Sequence, residues 1–133
     1  MERLKTDRPA IQRVSHFTEL QVWQKAHALF IAVATNLESM QSNRATWIIA
    51  DQLLRSTGSI SANIAEGFNA PTTREYLRYL DTAKRSAHES ENWLYKLRDL
   101  HLLNGSAQHH LDSCAEIARM LNGLSRSLAN KSR

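Results

Sequence analysis

The sequence predicts an all-α protein, an antiparallel up-down-up-down four-helix bundle. Three observations predict it. Only four glycines and two prolines occur in 133 residues, far fewer turn residues than a β-protein of this length requires. Apolar residues recur at alternating spacings of three and four along four separate stretches, the signature of amphipathic helices. Residues that start and stop helices fall between those stretches.

The first dozen residues lack periodicity and include Pro9, so residues 1–16 read as a flexible basic arm preceding a bundle over 17–130. In Phe17-Thr18-Glu19-Leu20-Gln21, Thr18 and Gln21 have the spacing of a capping box. Trp23, Ala26, Phe30, Val33 and Leu37 then form the seam of the first helix, broken between Met40 and Asn43. The second helix starts near Arg44, with Ala50, Leu53, Thr57, Ile60 and Ile64 as its seam and Gly67 at the position after its end, where glycine readily takes positive φ. Pro71 and a second capping box, Thr72 with Glu75, open the third helix. Its seam, Tyr76, Leu80, Ala83, Ala87, Ser90, Leu94 and Leu97, runs on to Leu103 before Asn104-Gly105. Ser106 caps the fourth helix, whose seam is Leu111, Cys114, Ala118, Leu121, Ser125 and Leu128. Residues 131–133 form a short basic tail. Short connections between four such helices make neighbours antiparallel.

A chain of this size folds as one domain without metal or disulfide staples. The lone cysteine, Cys114, has no intrachain partner, so the expected compartment is the reducing cytoplasm. No signal-like or membrane-spanning run is visible, and no membrane partner is expected. The formal charge of +4 is unevenly placed. Arg3, Lys5, Arg8 and Arg13 face only Glu2 and Asp7 at one end, and Arg119, Arg126, Lys131 and Arg133 face no acid at the other, while the body is slightly acidic. These eight cations are the candidate phosphate contacts of a nucleic-acid-binding protein.

Nothing in the sequence carries catalysis. A di-metal centre on this fold needs Glu-x-x-His pairs, and none occurs. His88-Glu89 lacks a second histidine at the zinc-protease spacing. His109 and His110 are adjacent, so their side chains diverge by about 100° on a helix; both read as surface residues. Cys114 lies on an apolar seam, which marks a buried, inert thiol. No catalytic residue, metal or cofactor is expected.

The segment Arg55–Gly67 is unusual for a helix interior, being rich in Ser, Thr, Gly and Asn that propensity disfavours there. Small side chains point to close helix packing. Glu66 in the last turn opposes the helix dipole, so a specific partner is expected, either Arg85 or a backbone donor; a solvated Glu66 is the alternative.

Three runs carry a family resemblance. Phe17 to Ala26 resembles the opening motif of the 23S rRNA intervening-sequence proteins, a four-helix bundle family. Gln52 to Ser56, Ser59-Ile60 and Asn63-Ile64-Ala65-Glu66-Gly67 resemble its second helix. Glu75 to Leu80, Ala83, Ser86 and Glu89 resemble its third. The chain departs from the pattern at Arg85, where relatives have glycine, and in the loop 38–44, which lacks their proline. The resemblance implies a homopentameric barrel and nucleic-acid binding. A related group, the accessory variability proteins of diversity-generating retroelements, works with a reverse transcriptase and its template RNA. The expected function is therefore non-enzymatic binding of RNA or DNA, structured RNA foremost, through phosphate contacts. The alternative is a protein-interaction scaffold, such as the accessory subunit of a reverse transcriptase, with rings such as Trp47 and Tyr79 free for interfaces.

Overall fold

A computed structural model of the protein describes residues 14–41 and 43–131. Four helices carry the chain: α1 (Gln21–Glu38), α2 (Arg44–Phe68), α3 (Thr73–Asp99) and α4 (Ala107–Lys131). Single 3₁₀ turns precede α1 (Phe17–Glu19) and α4 (Leu103–Gly105). Among the described residues no helix is long and apolar enough to cross a membrane.

Each helix end shows which local chemistry prevailed. The expected box between Thr18 and Gln21 does not form. His16 instead caps the 3₁₀ turn through Nδ1, and α1 begins at Gln21 behind Leu20, which offers no side-chain cap. Asn43 and Thr46 bond reciprocally to start α2, a capping box built with threonine in place of the usual Glu or Gln. Thr72 caps α3 by accepting from the Glu75 amide at 3.2 Å. That helix ends at Asp99, four residues before the expected Leu103, because His101, Leu103 and Asn104 all turn to positive φ. The Ser106 hydroxyl donates to the Leu103 carbonyl and so serves the turn.

Side-chain pairs fix the arrangement of neighbours. Ser56 meets Ser90 at 2.8 Å and Ser86 meets Ser59 at 2.9 Å, so α2 and α3 run antiparallel. Asn36 with His110, and Lys25 with Glu116, do the same for α1 and α4. Lys84 reaches Asn122 at 3.0 Å between α3 and α4. The Phe30 ring of α1 lies 3.4 Å from where a Cβ on Gly58 of α2 would sit. The helices therefore form the expected up-down-up-down ring around one core.

The seams of α2 and α3 are buried as expected. In α1 the buried line is Val22, Ala26, Leu29 and Val33, while Trp23, Phe30 and Leu37 are half-buried on its flank. Cys114 is fully buried, and burial, with Glu91 nearby, pushes its thiol up to about 12. That is an inert sulfur, as the sequence indicated.

His110 corrects a surface expectation, being only 2% exposed. Its Nε2 lies 2.6 Å from the Asn36 amide oxygen, which can only accept, so the proton sits on Nε2. Nδ1 is then a bare acceptor, buried without a partner among the described residues. Burial, and next the neighbouring His109, hold this imidazole below its ordinary value of 6.5. The fold thus favours neutral His110, and the unfolded chain takes up the proton first as pH falls.

Acidification from about pH 7.5 to about pH 5 should therefore lower the urea midpoint. In His110→Gln, which keeps a donor for Asn36, that loss should shrink; a variant retaining all of it would assign the acid loss to other groups. The two glycines inside α2 should respond oppositely. A Cβ on Gly67 would lie 2.9 Å from both Tyr76 Cδ1 and Tyr79 Cβ, and Tyr79 Cβ cannot move without its backbone. Gly67→Ala should cost about 1–3 kcal/mol. Gly58→Ala makes only ordinary contact with Phe30 and should gain up to about 1 kcal/mol from helix propensity. Urea unfolding of both variants measures this.

Candidate nucleic-acid interface

An even number of antiparallel helices brings the chain back to the end where it started. The Phe17–Glu19 turn packs against α1 and α2 at the end of the bundle where α4 finishes. The described chain therefore begins and ends at one end of the bundle. Arg126 and Lys131 are exposed on α4 there, and Arg119 is exposed at the middle of that helix. Arg119 and Arg126 are seven residues apart, within about 20° on the helix surface, and Lys131 is turned by about 140° from Arg126. Arg119 also adds to the field of Lys25, whose hydrogen bond and charge hold the Glu116 carboxyl below its ordinary range. Arg3, Lys5, Arg8, Arg13 and Arg133 lie outside the described residues.

Two more cations stand at the same end. Arg74 and Arg78, one turn apart at the start of α3, are exposed, and their guanidinium groups have no hydrogen bond or ion pair among the described residues. Arg74 occupies a first turn, where the helix dipole favours acids. A sequence count assigned both arginines to the acidic body; their i, i+4 spacing was the only signal of a shared face.

The Asn-Ile-Ala-Glu-Gly motif ends α2 beside them. Gly67 does not take the expected place after the helix. It is helical and buried, with Asn69 as the C-cap, and its missing Cβ lets α3 approach through Tyr76 and Tyr79. Asn63 turns its amide nitrogen onto the Ser59 carbonyl and hydroxyl at 2.8 and 3.0 Å. Arg85 does not reach Glu66. It pairs within its own helix with Asp81 at 3.1 Å, as i, i+4 spacing favours. Glu66 is exposed and has no bonded partner among the described residues, so the solvated alternative holds.

Between this motif and α3 lies an open groove of about 570 Å³ with Asn63, Glu66, Asn69, Glu75, Arg78 and Tyr79 in its walls. That is a volume typical of small-molecule clefts. At the far end of the bundle Trp47 is 60% exposed, with Ile48 and Arg44 beside it. Among the described residues no group of three or more His, Cys, Asp or Glu side chains is placed to hold a metal ion.

The fold has a solved counterpart. A crystal structure from Bacteroides thetaiotaomicron, of a protein of unknown function from the S23 ribosomal protein family, superposes with a TM-score of 0.69 at 25% sequence identity. The match covers 78% of this chain and 97% of that one. Comparison with curated protein sequences gives no match. Residues 18–123 match the family described as 23S rRNA-intervening sequence protein, a span that includes the three motif runs except Phe17 and most of the bundle, and the chain belongs to that family.

Proposed function

We propose that this protein is a non-enzymatic, oligomeric helical bundle that binds nucleic acid, structured RNA foremost, largely through phosphate contacts. The observation that supports this reading is that the described chain begins and ends at one end of the bundle, where Arg126 and Lys131 are exposed, with Arg119 on the same face as Arg126 toward the middle of α4. Charge spread over two sequence-distant tails acts as one field when the fold joins them. The family's name, which refers to 23S rRNA, supports RNA over DNA. The protein assembles as a homopentamer, the state that the family resemblance implies. Five copies of a +4 chain carry +20, so individually weak phosphate contacts add through multivalency. It acts in the cytoplasm, where a lone thiol such as Cys114 stays reduced.

Light scattering on the purified protein should give the mass of five chains, and the complex should gain RNA mass at low salt and lose it at moderate salt. Alanine at Arg3, Lys5, Arg8, Arg13, Arg119, Arg126, Lys131 and Arg133 should flatten the plot of log affinity against log salt. Each lost phosphate contact reduces the slope by roughly 0.7 to 0.9. An unchanged slope overturns the assignment of the tails.

Trp47 favours a second reading, in which the bundle is a protein-interaction scaffold, such as the accessory subunit of a reverse transcriptase in a diversity-generating retroelement. A large aromatic ring 60% exposed beside Ile48 has the composition of an interface anchor. Under that reading a defined protein co-purifies from nuclease-treated lysate with the wild type and is lost with Trp47→Ala. Its retention by the variant removes Trp47 from the contact.

A further inference from the structure

We infer that the groove between the end of α2 and the start of α3 receives an unpaired guanine base of the bound RNA, with the Glu66 carboxylate accepting from its Watson–Crick edge. The inference rests on the RNA-binding reading above and adds base selectivity, which phosphate contacts by the tails cannot supply.

The hydrogen-bonding character of the groove carries the argument. Asn63 spends both amide hydrogens on Ser59, and Asn69 donates one of its two to the Ala65 carbonyl at 3.2 Å. Each presents its amide oxygen as an acceptor, and Asn69 keeps one N–H donor. Glu66 and Glu75 add carboxylates with no side-chain partner among the described residues. The walls are thus rich in acceptors, and they require a ligand edge rich in donors. Guanine presents N1–H and N2–H₂ side by side, two parallel donors at the spacing of the two oxygens of one carboxylate. Adenine, cytosine and uracil have no such pair.

The other two walls fit the rest of a nucleotide. Tyr79 is half-buried and offers a ring against which a base can stack, the usual way single-stranded RNA is held. Arg78 is the only cation in the groove lining and is unpaired among the described residues, so it suits a ligand that is anionic beside its donor-rich edge. An arginine from a protein partner would satisfy Glu66 and Glu75 but would be repelled by Arg78. The groove also lies at the end of the bundle where Arg126 and Lys131 of α4 are exposed, so one strand can meet the groove and these cations.

Local electrostatics favour a ligand here as well. Glu66 lies in the last turn of α2 and Arg74 in the first turn of α3, each opposed by its helix dipole. Neither helix gains stability from these placements, and such local conflicts gather at functional sites.

Fluorescence anisotropy with labelled single-stranded A/U 12-mers tests the inference. One strand carries a central guanosine, one carries inosine there, which lacks the N2 amino group, and one is the duplex. Wild type should prefer guanosine to inosine, and to the duplex, by about tenfold. Glu66→Gln, at an exposed unpaired position, should abolish the preference and leave the salt slope intact. Equal binding of guanosine and inosine by wild type, with a normal salt slope, overturns the groove assignment alone. No binding of any strand at low salt overturns the RNA reading beneath it. Competition by free GMP at the strand's own concentration assigns the groove to a free nucleotide and overturns the RNA source. A loss of oligomer mass in Glu66→Gln assigns it to a subunit contact and overturns the inference.

Discussion

The buried hydroxyl pairs between α2 and α3 are the constraint on which the rest of the structure depends. Ser56 with Ser90 and Ser59 with Ser86 join the two helices through short side chains, so the backbones come close. Ser56, Ser86 and Ser90 are buried, and sliding one helix by a turn would break both pairs. Ser56 and Ser90 would keep bonds to carbonyls of their own helices, but the Ser86 hydroxyl, which donates to Ser59, would be orphaned at a cost of about 1–3 kcal/mol, a slip that the apolar seams alone would tolerate. Ala83 and Ala87 keep the same interface narrow. Gly67 extends the close approach to the end of α2, where Tyr79 takes the space a side chain would fill. Register, helix separation and the shape of the groove all follow from this one contact.

The small residues that make this contact possible are poor helix formers. Serine, threonine, glycine and asparagine in the middle of α2 lower its intrinsic helicity, and the helix holds because its neighbours supply what propensity does not. Ser56 and Thr57 also return hydrogen bonds to the Leu53 carbonyl one turn back, so their hydroxyls are satisfied twice or locally. Close packing on both flanks, Phe30 over Gly58 and Tyr79 over Gly67, then replaces side-chain volume that α2 itself lacks.

Much of this fold was legible in the sequence because period alone carries it. The seams of α2 and α3 have apolar or small residues on one narrow line, and every seam position there is buried. The seam of α1 was displaced for a physical reason. Its apolar arc is wide enough to hold two lines, and the bulky rings of Trp23 and Phe30 took the flank while Val22 and Leu29 took the centre. The end of α3 was misplaced because Leu100, Leu102 and Leu103 continue an apolar pattern across His101, where the backbone first turns to positive φ. His110 was misread because its partner, Asn36, is 74 residues away, beyond any local pattern. The groove was illegible for a similar reason: its walls come from two helices, and only the packing over Gly67 brings them together. Family motifs marked Asn63, Glu66 and Gly67 as special, and the helix-dipole argument offered Arg85 as one partner for Glu66, but Asp81 is one turn from Arg85 and satisfies it first.

The return of the chain to its starting end also gives the molecule a direction. One end holds Arg74, Arg78, Arg126 and Lys131, and the other exposes Trp47 and Ile48. The bundle thus has two unlike ends, a full helix length apart. A polyanion at the first would leave the second open, so two ligands of different chemistry would be held apart on opposite ends of one chain.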